Sequence, residues 1–131
     1  MAHSRARARL IRAYFLEARL RRGNRAERLQ ADGHFWAWEG VREAVERDAT
    51  EGWELVLDLL AGTSDEDERA YVAAGPLEDL INWHGEEVIE RIELQARRDP
   101  VFRSVLASVV TPAGQVGTRI DRLVPGRQVG R

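Results

Sequence analysis

Apolar residues recur along the chain at helical spacing, three to four apart, and no segment alternates apolar and polar positions in the manner of a strand. The pattern is cleanest from His34 to Asp48. There Ala37, Val41, Ala44 and Val45 form one stripe, while Glu39, Arg42, Glu43, Glu46 and Arg47 gather opposite, which predicts a surface helix packed on one side. From Glu51 to Ala61, Trp53, Val56, Leu57 and Leu60 make one face and Leu55 and Leu59 extend it, so that only Glu51, Glu54 and Asp58 remain polar. This predicts a central helix, capped by Thr50 and stopped by Gly62. Val88, Ile89, Ile92 and Ala96 stripe a helix from Glu86 to Arg98, and Val101, Phe102, Val105, Leu106 and Val109 are the buried set of the last clear one. Upstream, a helix capped by Ser4 and running to about Arg22 has Leu10, Ile11, Tyr14 and Ala18 on one face and Leu16 and Leu20 on another, so it contacts neighbours on two sides. Asn24 to Gln30 forms a further short helix.

The junctions carry as much information as the stripes. Ser64 with Asp67 makes a capping-box-like start, and Asp65, Glu66, Asp67 and Glu68 fill the first turn, where the helix dipole favours negative charge. That helix runs to Gly75. Pro76 opens the next one, with almost no linker, because glycine suits the position after a helix and proline the first position inside one. The helix from Pro76 stops at His84 and Gly85, and Asp99 with Pro100 repeats the stop-and-start device. From Thr111 the chain holds four glycines and two prolines, which predicts an irregular basic tail on which only Ile120, Leu123 and Val124 dock. The expected fold is all-α: a compact bundle of short helices in repeat-like helical hairpins, one domain over residues 1–110, followed by the tail at 111–131.

Composition narrows the function classes. A chain of 131 residues can bury a core without staples, and the absence of cysteine excludes disulfides, thiolate metal sites and thiol catalysis. No apolar run has the length a membrane span needs, so a soluble cytoplasmic protein without a membrane partner is expected. Charge is segregated: residues 1–30 carry nine Arg against two Glu, residues 31–100 six Arg against nineteen acids, and residues 101–131 five Arg against one Asp. The chain is arginine-rich, since all twenty of its Lys and Arg positions are arginine. Basic ends packing against an acidic middle is preferred to an external nucleic-acid surface.

Ala74-Gly75-Pro76-Leu77-Glu78-Asp79-Leu80, His84-Gly85, Ile89, Ile92-Glu93, Ala96, Asp99-Pro100, Phe102-Arg103 and Leu106 form a signature, with Trp53 and its leucine-rich helix upstream. Over about residues 50–110 this signature resembles a family of small bacterial proteins known as a domain of unknown function. The resemblance implies no activity, cofactor or catalytic residue.

His84 is the chemically odd residue, because it falls at the centre of the apolar face formed by Leu77, Leu80 and Ile81, in the last turn before Gly85. Glu93 is placed to meet His84 or an arginine across the hairpin, and Arg103 to pair with Glu93 or Glu78. A polar clamp that fixes helix register is the preferred reading, since buried polar groups must be paired. The sharper reading is an acid/base site at His84 and Glu93, with Arg103 beside them. No metal-protease, phosphate-loop, nucleophile-elbow or calcium-loop motif accompanies it, and neither a metal nor a cofactor is expected.

A second candidate surface lies upstream. Phe35 and Trp36 point away from the buried stripe of their helix; exposed, they would anchor a partner, although packing against the N-terminal helix is preferred. Arg5, Arg7, Arg9 and Arg12, interleaved with Tyr14 and Phe15, offer a basic arm. The leading expectation is a non-catalytic helical interaction domain with a protein partner, of which an immunity or inhibitor protein or an adaptor is an instance. A small enzyme using His84 and Glu93, and a nucleic-acid accessory protein using the Arg-rich helix, are the alternatives.

Overall fold

Side-chain caps mark where several of the helices begin. In the computed structural model, which describes the backbone of residues 2–127 and the side chains of residues 5–127, the first helix is α1 (Ala2–Arg21). Ser4 thus lies inside its first turn instead of capping it. Asn24 accepts the Glu27 N–H at 2.9 Å while the Glu27 carboxylate accepts the Asn24 N–H at 3.1 Å, a reciprocal capping box that starts α2 (Arg25–Asp32). After α3 (Phe35–Arg47), Asp48 takes the Glu51 N–H at 2.7 Å and starts α4 (Ala49–Ala61). Thr50, the expected cap, is inside α4, and its hydroxyl accepts from Arg91 at 3.2 Å. Asp65, not Ser64, caps α5 (Glu66–Val72), and Glu68 reaches back to the Ser64 N–H at 2.7 Å. Where two acceptors stand close together in sequence, spacing alone leaves the boundary a residue or two open.

The chain does not break at Gly75 and Pro76. It continues from α5 through a π-turn (Ala73–Leu77) directly into α6 (Glu78–Arg98). Proline inside a helix has no N–H to give and its ring meets the carbonyl four residues back, and the wider π-turn accommodates both. Pro76 is buried with Ala73 and Leu77, so the proline packs in the core. The stop expected at Gly85 is a kink: His84 has φ −134° and ψ 24°, and α6 resumes beyond it. Asp99 accepts the N–H groups of Val101 and Phe102 at 3.0 and 3.2 Å and starts α7 (Pro100–Leu106), as expected; these donors, Phe102 first, hold its carboxyl below the usual range. Val101, expected in the core, is 56% exposed. It lies about a quarter turn from the centre of the arc made by Phe102, Val105, Leu106 and Val109.

The segment expected to be irregular contains α8 (Gln115–Asp121), with Ile120 fully buried and Val124 buried beyond it. Two glycines make this possible. Gly114 starts α8 with φ +103°, a conformation side chains resist, and Gly117 comes so close to the Pro112 carbonyl oxygen that a Cβ there would lie 1.8 Å from it. The described residues are helical with no strand among them, so the all-α expectation holds.

The chain divides into two units, residues 1–44 and 45–131, the division falling inside α3. In the first, Ala13, Tyr14, Phe15 and Ala18 of α1 are buried, as are Ala31, Ala37 and Val41. Arg21 bonds the Glu17 carboxylate, which is 4% exposed, and also Asp32 at 2.9 Å, so one guanidinium ties α1 to the end of α2. In the second unit the core is Leu55, Val56 and Leu59 of α4, Leu80, Val88 and Ile92 of α6, Phe102 and Leu106 of α7, and Ile120; Trp53 meets Phe102 edge-on at 5.7 Å. None of the helices among the described residues is long and apolar enough to cross a membrane.

Gly117→Ala is expected to lower the unfolding free energy by about 1–3 kcal/mol or more, because the clash is with backbone that cannot rotate away. The urea midpoint by circular dichroism checks this, with Gln115→Ala on the open side of the same helix as the near-neutral control.

Candidate functional site

His84 sits at the kink of α6, where Gly85 lets α8 approach: a Cβ at Gly85 would meet Val116 at 3.0 Å. Its Nε2 lies 3.0 Å from both the Val45 and Glu46 carbonyl oxygens. Two acceptors on one nitrogen require that it carry the proton, so Nε2–H serves the last turn of α3, whose final carbonyls have no partner of their own. Nδ1 then faces the other way, 3.6 Å from Glu87 Oε1. Around it is a shallow cleft of about 350 Å³, lined by Ile81, Trp83, His84, Glu87, Pro112 and Val116 among others. The imidazole is therefore a cap for another helix, with its second nitrogen turned towards a cleft rim and a carboxylate.

Glu93 and Arg103, grouped with His84 from the sequence, are engaged elsewhere. Glu93 forms a two-pronged pair with Arg119 of α8, Nε to Oε2 at 2.9 Å and Nη2 to Oε1. Arg119, first through these hydrogen bonds and then by its charge, with Arg97 adding a little, holds the Glu93 carboxyl below its usual range. Arg103 donates to the Ala96 carbonyl at 2.6 Å, at the end of α6. Glu78, the other partner considered for Arg103, accepts the Val110 N–H at 3.0 Å. The three residues thus have three separate partners, and the hydrogen bonds of each go to holding helices.

Arg119 and Arg127 went unrecognised in the sequence. Arg127 donates to the Ala107 and Leu106 carbonyls at 2.7 and 3.3 Å, beyond the end of α7, and pairs with Asp121, which also accepts the Thr111 hydroxyl at 3.0 Å. The signal was present as Val116, Ile120, Leu123 and Val124 at helical spacing, but four glycines in the tail outweighed it. Among the described residues no three His, Asp or Glu side chains converge as metal ligands, and no buried side-chain polar atom lacks a hydrogen-bond partner.

The upstream candidates behave differently. Phe35 and Trp36 are 40% and 43% exposed, not packed away. The Arg9 guanidinium lies over the Trp36 ring at 5.2 Å; Phe35 stacks on Trp38 at 5.2 Å and 15°, and Arg42 covers Trp38 at 5.6 Å. The structure thus brings one of the four N-terminal arginines onto one of the two candidate aromatics. Arg5, Arg9 and Arg12 are exposed, and Arg7 is half-buried. Leu29, at 65%, is a further exposed apolar side chain in this unit.

The model of a family of unknown function, DUF6869, matches residues 24–126, which is most of the chain and reaches further at both ends than the signature suggested. No curated protein and no solved structure matches the chain.

His84→Ala removes the side-chain donor from two carbonyls and is expected to cost about 1–3 kcal/mol, with His84→Gln recovering part of it; urea unfolding measures both. The Glu93–Arg119 pair sets a pH dependence. Because the folded pKa of Glu93 is depressed, its stabilisation is present above the ordinary value of 4.5 and is lost as pH falls through the folded value. Glu93→Gln should therefore melt below wild type at neutral pH and converge with it in acid, as thermal scans across pH will register.

Proposed function

We propose that this chain, which belongs to the family DUF6869, is a non-catalytic helical module that binds a partner protein through the aromatic and arginine face of residues 1–44. The observation that carries this reading is the pair of exposed rings, Phe35 and Trp36, one of them under the Arg9 guanidinium. Large aromatics and arginine are the residues that concentrate binding energy at protein interfaces, and a protein with a core to fill does not leave two adjacent rings outside it without cost.

What supports a non-catalytic role is the use made of the polar residues in the second unit. His84, Arg103 and Arg127 each give N–H groups to backbone carbonyls, and Glu93 is neutralised by Arg119. The acid/base reading pairs His84 with Glu93, and that pair is not assembled. Glu93, the acid proposed for His84, is bound to α8 instead. An immunity, inhibitor or adaptor protein remains an instance of such a module, and a cytoplasmic setting suits the absence of cysteine.

The test is capture from the native lysate by the full chain and by a Phe35→Ser/Trp36→Ser variant. The wild type should retain a protein in stoichiometric amount, and the variant should lose it while keeping its melting temperature within a few degrees. Equal recovery by both proteins, or recovery of nothing by the wild type, overturns the proposal.

A further inference from the structure

We infer that the partner presents an acidic helix, which lies along the outer face of α1 with its carboxylates on Arg5, Arg9, Arg12 and Arg19 and its apolar side chains against Leu16 and Trp36. This deepens the partner-binding reading above and rests on it.

The argument starts from register. Positions 5, 9, 12, 16 and 19 fall within a quarter turn of one another at 3.6 residues per turn, so four arginines and one leucine make a single stripe spanning about 21 Å. The arc that is buried, Ala13, Tyr14, Glu17 and Ala18 among its members, leaves this stripe outward: Arg5, Arg9, Arg12 and Arg19 are exposed and Leu16 half-exposed. Among the described residues none of these four arginines enters an ion pair, whereas Arg21 of the same helix is engaged with Glu17 and Asp32. Residues 1–30 carry nine Arg and only two Glu, and Glu17 is one of those already taken. The stripe therefore calls for negative charge from outside the first thirty residues.

The form of that charge follows from the aromatics. The Arg9 guanidinium, held over the Trp36 ring, keeps its N–H edge for an acceptor, the geometry that suits a carboxylate taken side-on. A nucleic-acid strand would want open ring faces on which to stack bases. Here one face of Trp36 is covered by Arg9 and one face of Phe35 by Trp38, while Leu16 in the middle of the stripe offers a base nothing. A helix with acids at intervals of four, three and seven residues and an apolar residue between the last two matches both the charges and the leucine. Its apolar residues would bury Leu16 and the remaining surface of Trp36.

The experiment uses the full chain and three labelled probes followed by fluorescence anisotropy: a helical peptide with Glu at i, i+4, i+7 and i+14 and Leu at i+11, the same peptide scrambled, and a single-stranded oligonucleotide of equal charge. The patterned peptide should bind best. Its affinity should fall by about tenfold or more both for Arg9→Gln/Arg12→Gln and on raising salt from about 50 to about 500 mM, with melting unchanged. Equal binding of the scrambled peptide, tighter binding of the oligonucleotide, or no binding of the patterned peptide overturns the inference. Lysate capture by the same arginine variant separates the two levels. A partner lost with the Phe35/Trp36 variant but kept by Arg9→Gln/Arg12→Gln overturns the acidic helix and leaves the module reading standing; a partner kept by both variants overturns both.

Discussion

The carbonyl ends of short helices are the constraint on which this structure turns. The last four carbonyls of an α-helix have no intrahelical partner, more than half the length of a seven-residue helix such as α7, and burying such an end without donors from beyond it would undo the gain from its apolar face. The common remedy is a glycine in the left-handed conformation just past the helix. Here Gly114 and Gly126 alone among the described residues have positive φ, and Gly33 and Gly62, which follow α2 and α4, are right-handed. Right-handed tight turns supply backbone donors, as Ala107, Ser108 and Val109 do for α7, and side chains add others: Arg28 reaches the Gly23 carbonyl beyond α1 at 2.8 Å, His84 the end of α3, Arg103 the end of α6 and Arg127 the end of α7. A cationic or N–H-bearing cap at that end also meets the negative pole of the dipole.

Such caps do two jobs at once. A glycine cap is local and fixes only its own turn, but His84 joins residues 39 positions apart and Arg127 residues about 20 apart. Each therefore closes a helix and sets the position of a second element against it. The kink at His84 belongs to this arrangement. The imidazole leaves the helical path to reach α3, and the residue after it, Gly85, gives α8 room to settle on the same spot through Val116. The π-turn upstream belongs to it as well, since one extra residue per turn changes the direction in which every later side chain of α6 points.

Apolar stripes were legible because burial is periodic: Val41 and Val45, Val56 and Leu59, Val88, Ile89, Ile92 and Ala96 were all placed inward and all are buried. The Asp99 cap was legible too, since its two N–H bonds are made within three residues. What failed was the reading of breakers. Gly75, Pro76 and Gly85 carry stop signals in an isolated helix, but here the helices run through them, because tertiary packing rewards a buried Pro76 and a side-chain-free Gly85 more than local propensity penalises them. The tail failed for the mirror reason: glycines that argued against a helix are what allow α8 to close on Pro112 and Gly85. Of the candidate site, His84 was singled out for its true peculiarity, a polar group on an apolar face, but its partner is set by a contact that no spacing in sequence encodes. Glu93, expected to meet His84 or an arginine, meets Arg119 of α8, whereas Arg103, expected on Glu93 or Glu78, takes the Ala96 carbonyl.

Arginine separates into two populations, and the separation links fold to function. Arg21, Arg103, Arg119 and Arg127 are spent inward, on carboxylates and carbonyls that need several donors from one planar group at fixed angles. Lysine, a point charge with a strongly hydrated head, would serve these positions poorly, so the all-arginine usage is put to structural use in this part of the molecule whatever its origin. Arg5, Arg9, Arg12 and Arg19 spend none of that capacity on ion pairs among the described residues. At Arg5 and Arg12 folding would be no worse served by glutamine, which propagates a helix about as well, while Arg9 also covers the Trp36 ring and Arg19 stands in the last turn of α1, where the dipole favours a cation. Like charges a turn apart on one helix face destabilise one another, so the stripe carries a cost in stability. In the acidic-helix reading proposed above, carboxylates lying along the stripe would offset that cost.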